Sequence, residues 1–328
     1  LRLFSPSGAT PSNPHIRDRD GNQISAPEIH MQRLTTTAGN RDQHLMVARG
    51  NSVCDFVTGE TVVNNVARPK IVSIKCENGM EYNQSNKRAR FEGAVQVTSD
   101  APEDNYVLNS DRLQVDFGEA PNPGKPGEYL TWFRRITAEG NARLIQDNRI
   151  CEATNIIRDF PTPDPKEGDI YLQGSASQDG MPPQMAVLRE EDGQRNVGAM
   201  FVAPLIKSSS TGDLVQANGP GQLSMPDDSP EGANPKDYRS EIHFAGAASY
   251  EAVQGGKASD ARFWGGVVLR QPSRNVHVTA DEMDARFIQE DSLADFGGQR
   301  MDFDLERIGR LRRIEGRGNV KLEHALAN

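Results

Sequence analysis

The sequence predicts an all-β protein of folded-over antiparallel sheets, as two tandem modules or one elongated repeat module. Three observations predict it. Apolar and polar residues alternate along most of the chain, as in strands that bury one face. Thirty Gly and twenty Pro punctuate that alternation and favour turns over helices. The phrase "RRITAEGNARL" at 134–144 returns as "RRIEGRGNVKL" at 312–322.

Residues 1–27 are rich in Ser, Pro, Gly and Asn and read as a loop-rich N-terminal segment. Within them "DRDGNQ" (18–23) begins like a calcium loop but lacks the later ligands and the closing Glu. It reads instead as a hairpin turn on Asp20-Gly21. From residue 28 the alternation takes over. "HLMVARGNSVCDF" (44–56), "RARFEGAVQVTS" (88–99) and "SDRLQVDFG" (110–118) read as half-exposed strands. Phe91, Gly93, Val95 and Val97 share one face; so do Leu113, Val115 and Phe117.

"FGEAPNPGKPGEY" (117–129) is a Gly/Pro loop. It is not a phosphate loop: the spacing is one residue too long, Pro126 stands where Ser or Thr belongs, and no helix follows. Residues 156–235 read as an irregular connection with short strand-like pieces at 169–177 and 198–209. Strand patterns return at 241–252, 261–271, 275–288 and 312–323. The stretch 280–296 comes nearest to helical periodicity. The expected organisation is therefore a first module over 28–155 and a second over 236–328.

Composition fits this reading. The chain is 36% hydrophobic and 6% aromatic, with a mean hydropathy of −0.64, which suits strands burying one face each over an aliphatic core. A net charge of −9 argues against nucleic acid, which needs a basic face. A local basic patch such as Arg310, Arg312 and Arg313 remains compatible with it. No run of 18 apolar residues is present. The chain opens at Leu1 without a signal-peptide pattern and is read as a processed segment of something longer, so the lack of a targeting signal says little of location. Cys54, Cys76 and Cys151 form no C-x-x-C and have no His at ligand spacing, which argues against zinc. Cys54 and Cys76 would join neighbouring strands in an oxidising compartment; three buried thiols are the other reading.

The repeat extends beyond one phrase. Phe91 stands against Phe263, Asp111 against Asp281 and Gly140 against Gly318, at offsets of 172, 170 and 178 residues. Gly-containing phrases near 50 and 219 suggest a further, shorter recurrence. Glycine inside a strand weakens the ladder unless the chain bulges or bends there. The Gly-Asn pairs are thus expected to be bends at the corner of a folded-over sheet, with positive φ.

These residues resemble a known family. Ala280, Asp281 and Met283, followed by Ile314, Gly316, Gly318, Asn319 and Val320, resemble the pattern of the LptA/OstA-like domain of lipopolysaccharide-transport periplasmic proteins, found also in LptC-like and LptD N-terminal domains. Asp111, Leu113, Ile136, Ala138, Gly140 and Asn141 carry it in the first half. The resemblance covers roughly 88–150 and 240–325 and is poor over 1–40 and 155–215. Ala142 replaces the usual Val, and Gly219-Pro220-Gly221 replaces Gly-Asn. The resemblance implies an OstA-like open β-jellyroll, a half-closed book of two sheets. It also implies an apolar interior that holds lipid acyl chains, edge-to-edge strand pairing with other such modules, membrane-anchored envelope partners, and a periplasmic or envelope location in a diderm bacterium.

On that reading Phe91, Val95, Val97, Leu113, Val115, Phe117, Ile136 and Leu144 line one trough. Phe263, Val267, Leu269, Met283, Phe287, Ile314, Val320 and Leu322 line the other. Each buried methylene of a lipid tail would contribute ~0.8 kcal/mol. The same residues also suit a closed core between two sheets. Open edges would template further strands.

Catalysis is not expected, and no cofactor is. The six His are scattered, there is no H-E-x-x-H, and "GAASY" (246–250) fails G-x-S-x-G. Pairs such as Asp281 and Asp284 belong on a solvent face more readily than in an active site. The leading expectation is a non-catalytic envelope protein that binds or conducts lipopolysaccharide or a related glycolipid, as part of an outer-membrane lipid transport bridge. The alternatives are a β-repeat scaffold or adhesin, and a carbohydrate-active β-solenoid enzyme.

Overall fold

The computed structural model describes residues 2–4, 13–18, 21–34, 43–63, 66–101, 106–121, 129–146, 149–162, 168–176, 183–191, 197–209, 214–227, 239–252, 258–288 and 310–324. Among them the chain is all-β: 24 strands and a single 3-10 turn at Pro272–Arg274. Among the described residues no helix is long and apolar enough to cross a membrane. Two compact units are formed, Leu1–Asp147 with Asn155–Gly168, and Asn148–Thr154 with Asp169–Asn328.

Unit 1 contains β1 (Arg2–Phe4), β2 (His15–Arg17), β3 (Gln23–Ser25), β4 (Glu28–Leu34), β5 (Gln43–Arg49), β6 (Ser52–Val63), β7 (Val66–Cys76), β8 (Gly79–Asn83), β9 (Arg88–Ser99), β10 (Tyr106–Pro121) and β11 (Tyr129–Gln146). One layer runs β1-β4-β5-β8, then the first part of β9, the later part of β10 and the first part of β11. The other runs β2-β3-β6-β7, then the second part of β9, the first part of β10 and the end of β11. The three long strands belong to both layers, so the sheet folds over along them.

Alternation explains the core. Ile29, Ala48, Met80, Phe91, Leu113 and Ala138 are neighbours across the first layer and are all buried. Ile24, Cys54, Ile74, Val97 and Leu108 form the matching buried row of the second. Side chains two apart share a face, so one in-register row carries each neighbour with it.

β12 (Arg149–Asp159) gives its first part to unit 2 and its last to unit 1. Unit 2 continues with β13 (Asp169–Gln173), β14 (Ala186–Glu191), β15 (Val197–Ala203), β16 (Leu205–Ser209), β17 (Leu214–Asn218), β18 (Gly221–Pro226), β19 (Arg239–Phe244), β20 (Ala247–Ala252), β21 (Ala258–Gln271), β22 (Val276–Ile288), β23 (Arg310–Arg317) and β24 (Lys321–His324). Its layers repeat the plan: β13-β16-β17-β20-β21-β22-β23, and β12-β14-β15-β18-β19-β21-β22-β24.

The bends sit where the repeated phrase predicts them. Gly140 and Asn141 have φ of +73° and +48°, and Gly318 and Asn319 have +64° and +39°. A Cβ on Gly140 would lie 2.3 Å from Asp111 Oδ2, and one on Gly318 the same distance from Asp281 Oδ2. Glycine is required there twice over, by φ and by space. The duplication also runs further than three blocks. Ala26-Pro27 and Ala203-Pro204 turn between layers in the same way, and Gly50 and Gly219 each sit against the corresponding proline. Gly50 and Gly140 are thus different corners of one unit, and the long offset is the repeat.

The strands close into an antiparallel barrel with further strands outside it. In unit 2 the pairings run β13-β16-β17-β20-β21-β19-β18-β15-β14, and an isolated bridge, Ser175–Gln184, pairs the residues just beyond β13 with those just before β14. The all-β class and the folded-over sheets are therefore observed, while the pairings close where the sequence suggests an open book.

Other expectations also shift. The segment 1–27 carries β1 to β3. The flanks of the turn at Asp20-Gly21 do pair, His15 with Ser25, although Asp20 lies outside the described residues. The segment 156–235, expected to be an irregular connection, holds β13 to β18, and unit 2 takes it in from Asp169 rather than beginning at 236. Strands of five to seven residues between Pro/Gly/Asp loops are too short for alternation to declare itself. Residues 280–288 are strand rather than helix; 289–296 lie outside the described residues.

Candidate functional site

At one end of unit 1 the two layers part around a cavity of about 610 Å³. The first layer contributes Met46 of β5, Met80 and Tyr82 of β8, Ala89 of β9, Phe117 of β10 and Phe133 of β11. The second contributes Ile16 of β2, Ile24 of β3, and Cys54, Phe56 and Val57 of β6. Trp132 of β11 and Phe160, just beyond β12, add to the lining.

The aromatic rings form a connected wall. Phe117 lies 6.0 Å from Phe56 and 5.7 Å from Phe133, centroid to centroid. Phe56 meets Phe133 edge-on at 5.8 Å, and Tyr82 meets Phe117 edge-on at 5.9 Å. Edge-to-face contacts favour such rings beyond the area they bury. Phe117 and Phe133 are direct partners across β10 and β11, next to a one-residue bulge at Asp116/Phe117. Here a bulge re-aims the side chains of the bulged strand.

The polar groups at the rim serve the fold. Asp18 Oδ1 accepts the backbone N–H of Asn22 at 2.9 Å, and its Oδ2 accepts Asn22 Nδ2 at 2.8 Å. Asn22 Oδ1 in turn accepts the N–H of Val57 at 2.8 Å, tying the β2–β3 turn to β6. Burial, and then the negative charge of Glu119, push the Tyr82 phenol up. Burial pushes the Cys54 thiol far up, with Cys76 and Asp55 adding to it. Both groups are neutral near pH 7. The cavity is thus a largely apolar recess, with the Asp18 carboxylate at its rim, of the size that takes a small ligand.

The sequence-derived trough residues divide. Phe117 lines the cavity. Phe91, Val95, Val97, Leu113 and Val115 are buried between the layers, outside the cavity lining, and Ile136 and Leu144 are half-buried. In unit 2, Phe263, Val267, Leu269, Met283 and Phe287 are fully buried and Ile314 is half-buried. Val320 and Leu322, expected inside, are 50% and 66% exposed. The reason is their place: Leu322 is on β24, which pairs with β22 alone, and Val320 follows the Gly318-Asn319 bend. With no strand on its other side among the described residues, this edge leaves both side chains in solvent.

Sequence reasoning missed Phe56, Tyr82, Phe133, Met46 and Phe160. Cys54 and Phe56 do alternate with Val53, Asp55 and Val57, so that signal was present. Tyr82 sits on a five-residue strand with little pattern to read.

Cys54, Cys76 and Cys151 are all free and buried. Among the described residues no group of three His, Cys, Asp or Glu is placed to hold a metal. A second, shallower groove of about 490 Å³ lies on unit 2, over β20 to β23. Most of its charges pair with one another: Arg262 and Arg317 both reach Asp284, at 2.6 and 2.7 Å, Arg286 holds Asp260 at 2.8 and 2.9 Å, and Arg313 pairs with Glu315.

No protein-family model matches the chain, and no curated protein matches it.

Proposed function

We propose that this chain is a non-catalytic lipid-binding protein of the cell envelope. Its apolar cargo lies between the parted layers of unit 1, as in the OstA-like jellyroll that its repeated phrases resemble. The observation that carries the reading is the aromatic-walled cavity of about 610 Å³. A lipid tail there would leave water for Phe56, Tyr82, Phe117 and Phe133, at ~0.8 kcal/mol for each methylene buried. The resemblance adds lipopolysaccharide or a related glycolipid as the cargo class, membrane-anchored envelope proteins and like modules as partners, and a diderm periplasm as the setting.

The scaffold or adhesin reading is favoured by a different observation: in unit 2 Met225, Tyr250, Phe287 and Leu311 are buried, as a purely structural module would require.

Site-specific photo-crosslinking in the native cell separates the two. A photoreactive amino acid is placed at position 117, with position 90, on the exposed face of β9, as control. Lipid adducts at 117 and not at 90 support the lipid reading. Protein adducts alone at 117 would leave the scaffold.

A further inference from the structure

We infer that cargo is held in unit 1 alone, one single-tailed amphiphile per chain, and that unit 2 is its closed counterpart. This rests on the lipid-binding reading and replaces the multiply acylated cargo that the resemblance adds with a single-tailed one.

The two units can be compared position by position, because their strand registers agree. Tyr82 faces Ala89 across β8 and β9, and Tyr250 faces Ala261 across β20 and β21. Ile24 faces Cys54, and Phe201 faces Leu223. Phe117 faces Phe133 and Phe287 faces Leu311, each pair next to a one-residue bulge, at Asp116/Phe117 and at Arg286/Phe287. Even the irregularity has been copied.

Access has not been copied. Phe56, Tyr82, Phe117 and Phe133 are half-buried around the cavity. Their counterparts Met225, Tyr250, Phe287 and Leu311 are 3%, 1%, 0% and 8% exposed. The residues are of the same class, so composition does not separate the units. Closure does. Ile16 sits on a three-residue strand and is half-buried. Its counterpart Leu188 sits on the six-residue β14, is fully buried, and has Cys151 of β12 as a further neighbour. An isolated bridge, Ser175–Gln184, pairs the segment just past β13 with the one just before β14.

The cargo class follows from the volume. A cavity of about 610 Å³ encloses one small ligand. It suits one tail and has no room for the several tails of a multiply acylated glycolipid. With Met225, Tyr250, Phe287 and Leu311 buried, the described residues of unit 2 offer the tail no second berth at the matching place. The protein would hold its cargo rather than pass it along two troughs.

The test is native mass spectrometry of the delipidated full chain, titrated to saturation with a dansyl-labelled single-chain fatty acid and separately with hexa-acylated lipid A. One fatty acid per chain and no lipid A complex are expected. Cys54→Leu, which installs the unit 2 residue, should weaken fatty acid binding at least tenfold, whereas Leu223→Cys should leave it within twofold. Phe117→Trp fills the same space from a half-buried position and serves if Cys54→Leu does not fold; circular dichroism and melting curves establish folding. Two fatty acids per chain, a one-to-one lipid A complex, or equal losses in the Cys54 and Leu223 variants would overturn the inference while leaving the lipid reading intact. No fatty acid binding by the unaltered chain would overturn the lipid reading, and this inference with it.

Discussion

Asn141 donates a hydrogen bond from Nδ2 to Oδ2 of Asp111 at 3.1 Å, across the bend between the layers of unit 1. In unit 2, Asn319 makes the same bond to Asp281 at 3.0 Å. Each asparagine follows a positive-φ glycine that leaves room for the aspartate. Three residue types, each needed for a different reason, thus define one corner in both units.

The corner should be sensitive to a single methyl group. Gly318→Ala places a Cβ against Asp281 in a left-handed conformation, and Gly140→Ala does so against Asp111. Each should cost about 1–2 kcal/mol. Urea denaturation measures this, and Ala substitution of an extended, uncrowded residue serves as reference. An effect no larger than the reference would mean that the bend is not strained by a side chain.

Phe117 and Phe287 occupy matching positions with unequal surroundings. Phe287→Ala empties a filled core and should cost about 3–5 kcal/mol. Phe117 already faces the cavity with part of its ring, so Phe117→Ala should cost less, about 1–2 kcal/mol. Equal losses in the two variants would show that the unit 1 cavity closes in solution.

Asp116 is buried at 5% exposure, and its Oδ1 accepts from Arg88 Nε at 2.5 Å. Gln114 adds a weaker bond to Oδ2 at 3.3 Å. Removing the partner of a buried carboxylate is worse than neutralising it. Arg88→Ala should therefore destabilise by about 2 kcal/mol, as for a lost hydrogen bond to a charged group. Asp116→Asn should cost less. The reverse order in thermal melts would mean that solvent, rather than Arg88, satisfies Asp116.

Cys151 supplies a pH dependence. Burial, as the main cause, pushes its thiol from 9.0 up to about 12; Arg149 partly offsets this and Glu152 adds to it. A raised folded-state pKa means that the unfolded chain releases the proton first. The stability tied to the neutral thiol is complete below about 9 and is lost as pH rises from there towards 12. Stability of the unaltered chain should fall more steeply over that window than that of Cys151→Ala. Parallel curves, measured by denaturant unfolding at successive pH values, would show that Cys151 ionises normally.

Much of this fold is legible in the residues themselves. Alternation in "FEGAVQV" and "DRLQVDF" places Phe91, Val95, Val97, Leu113 and Val115 on the buried faces, where they are found. Period two is a property of the extended backbone, so no neighbour is needed to read it. Gly140-Asn141 and Gly318-Asn319 announce their bends because φ is also a local property. The cavity was less legible. Phe117 was visible as an inward residue, yet Phe56, Tyr82 and Phe133 meet it from three other strands. Val320 and Leu322 continue an apolar alternation, and only their place beside an edge exposes them.

By itself, then, the sequence determined the strand class, the duplication and the corners, because each depends on residues close together in the chain. Which interior stays accessible was decided only by tertiary structure. Phe117 and Phe287 read alike in sequence, each closing an alternating run, and in the structure each stands beside a bulge. One lines a cavity and the other is fully buried. β2 and β14, more than 95 residues away along the chain from these phenylalanines, differ in the same sense: Ile16 is half-buried and Leu188 is fully buried. Burial is a sum over everything that reaches a side chain in space, and no local pattern contains that sum.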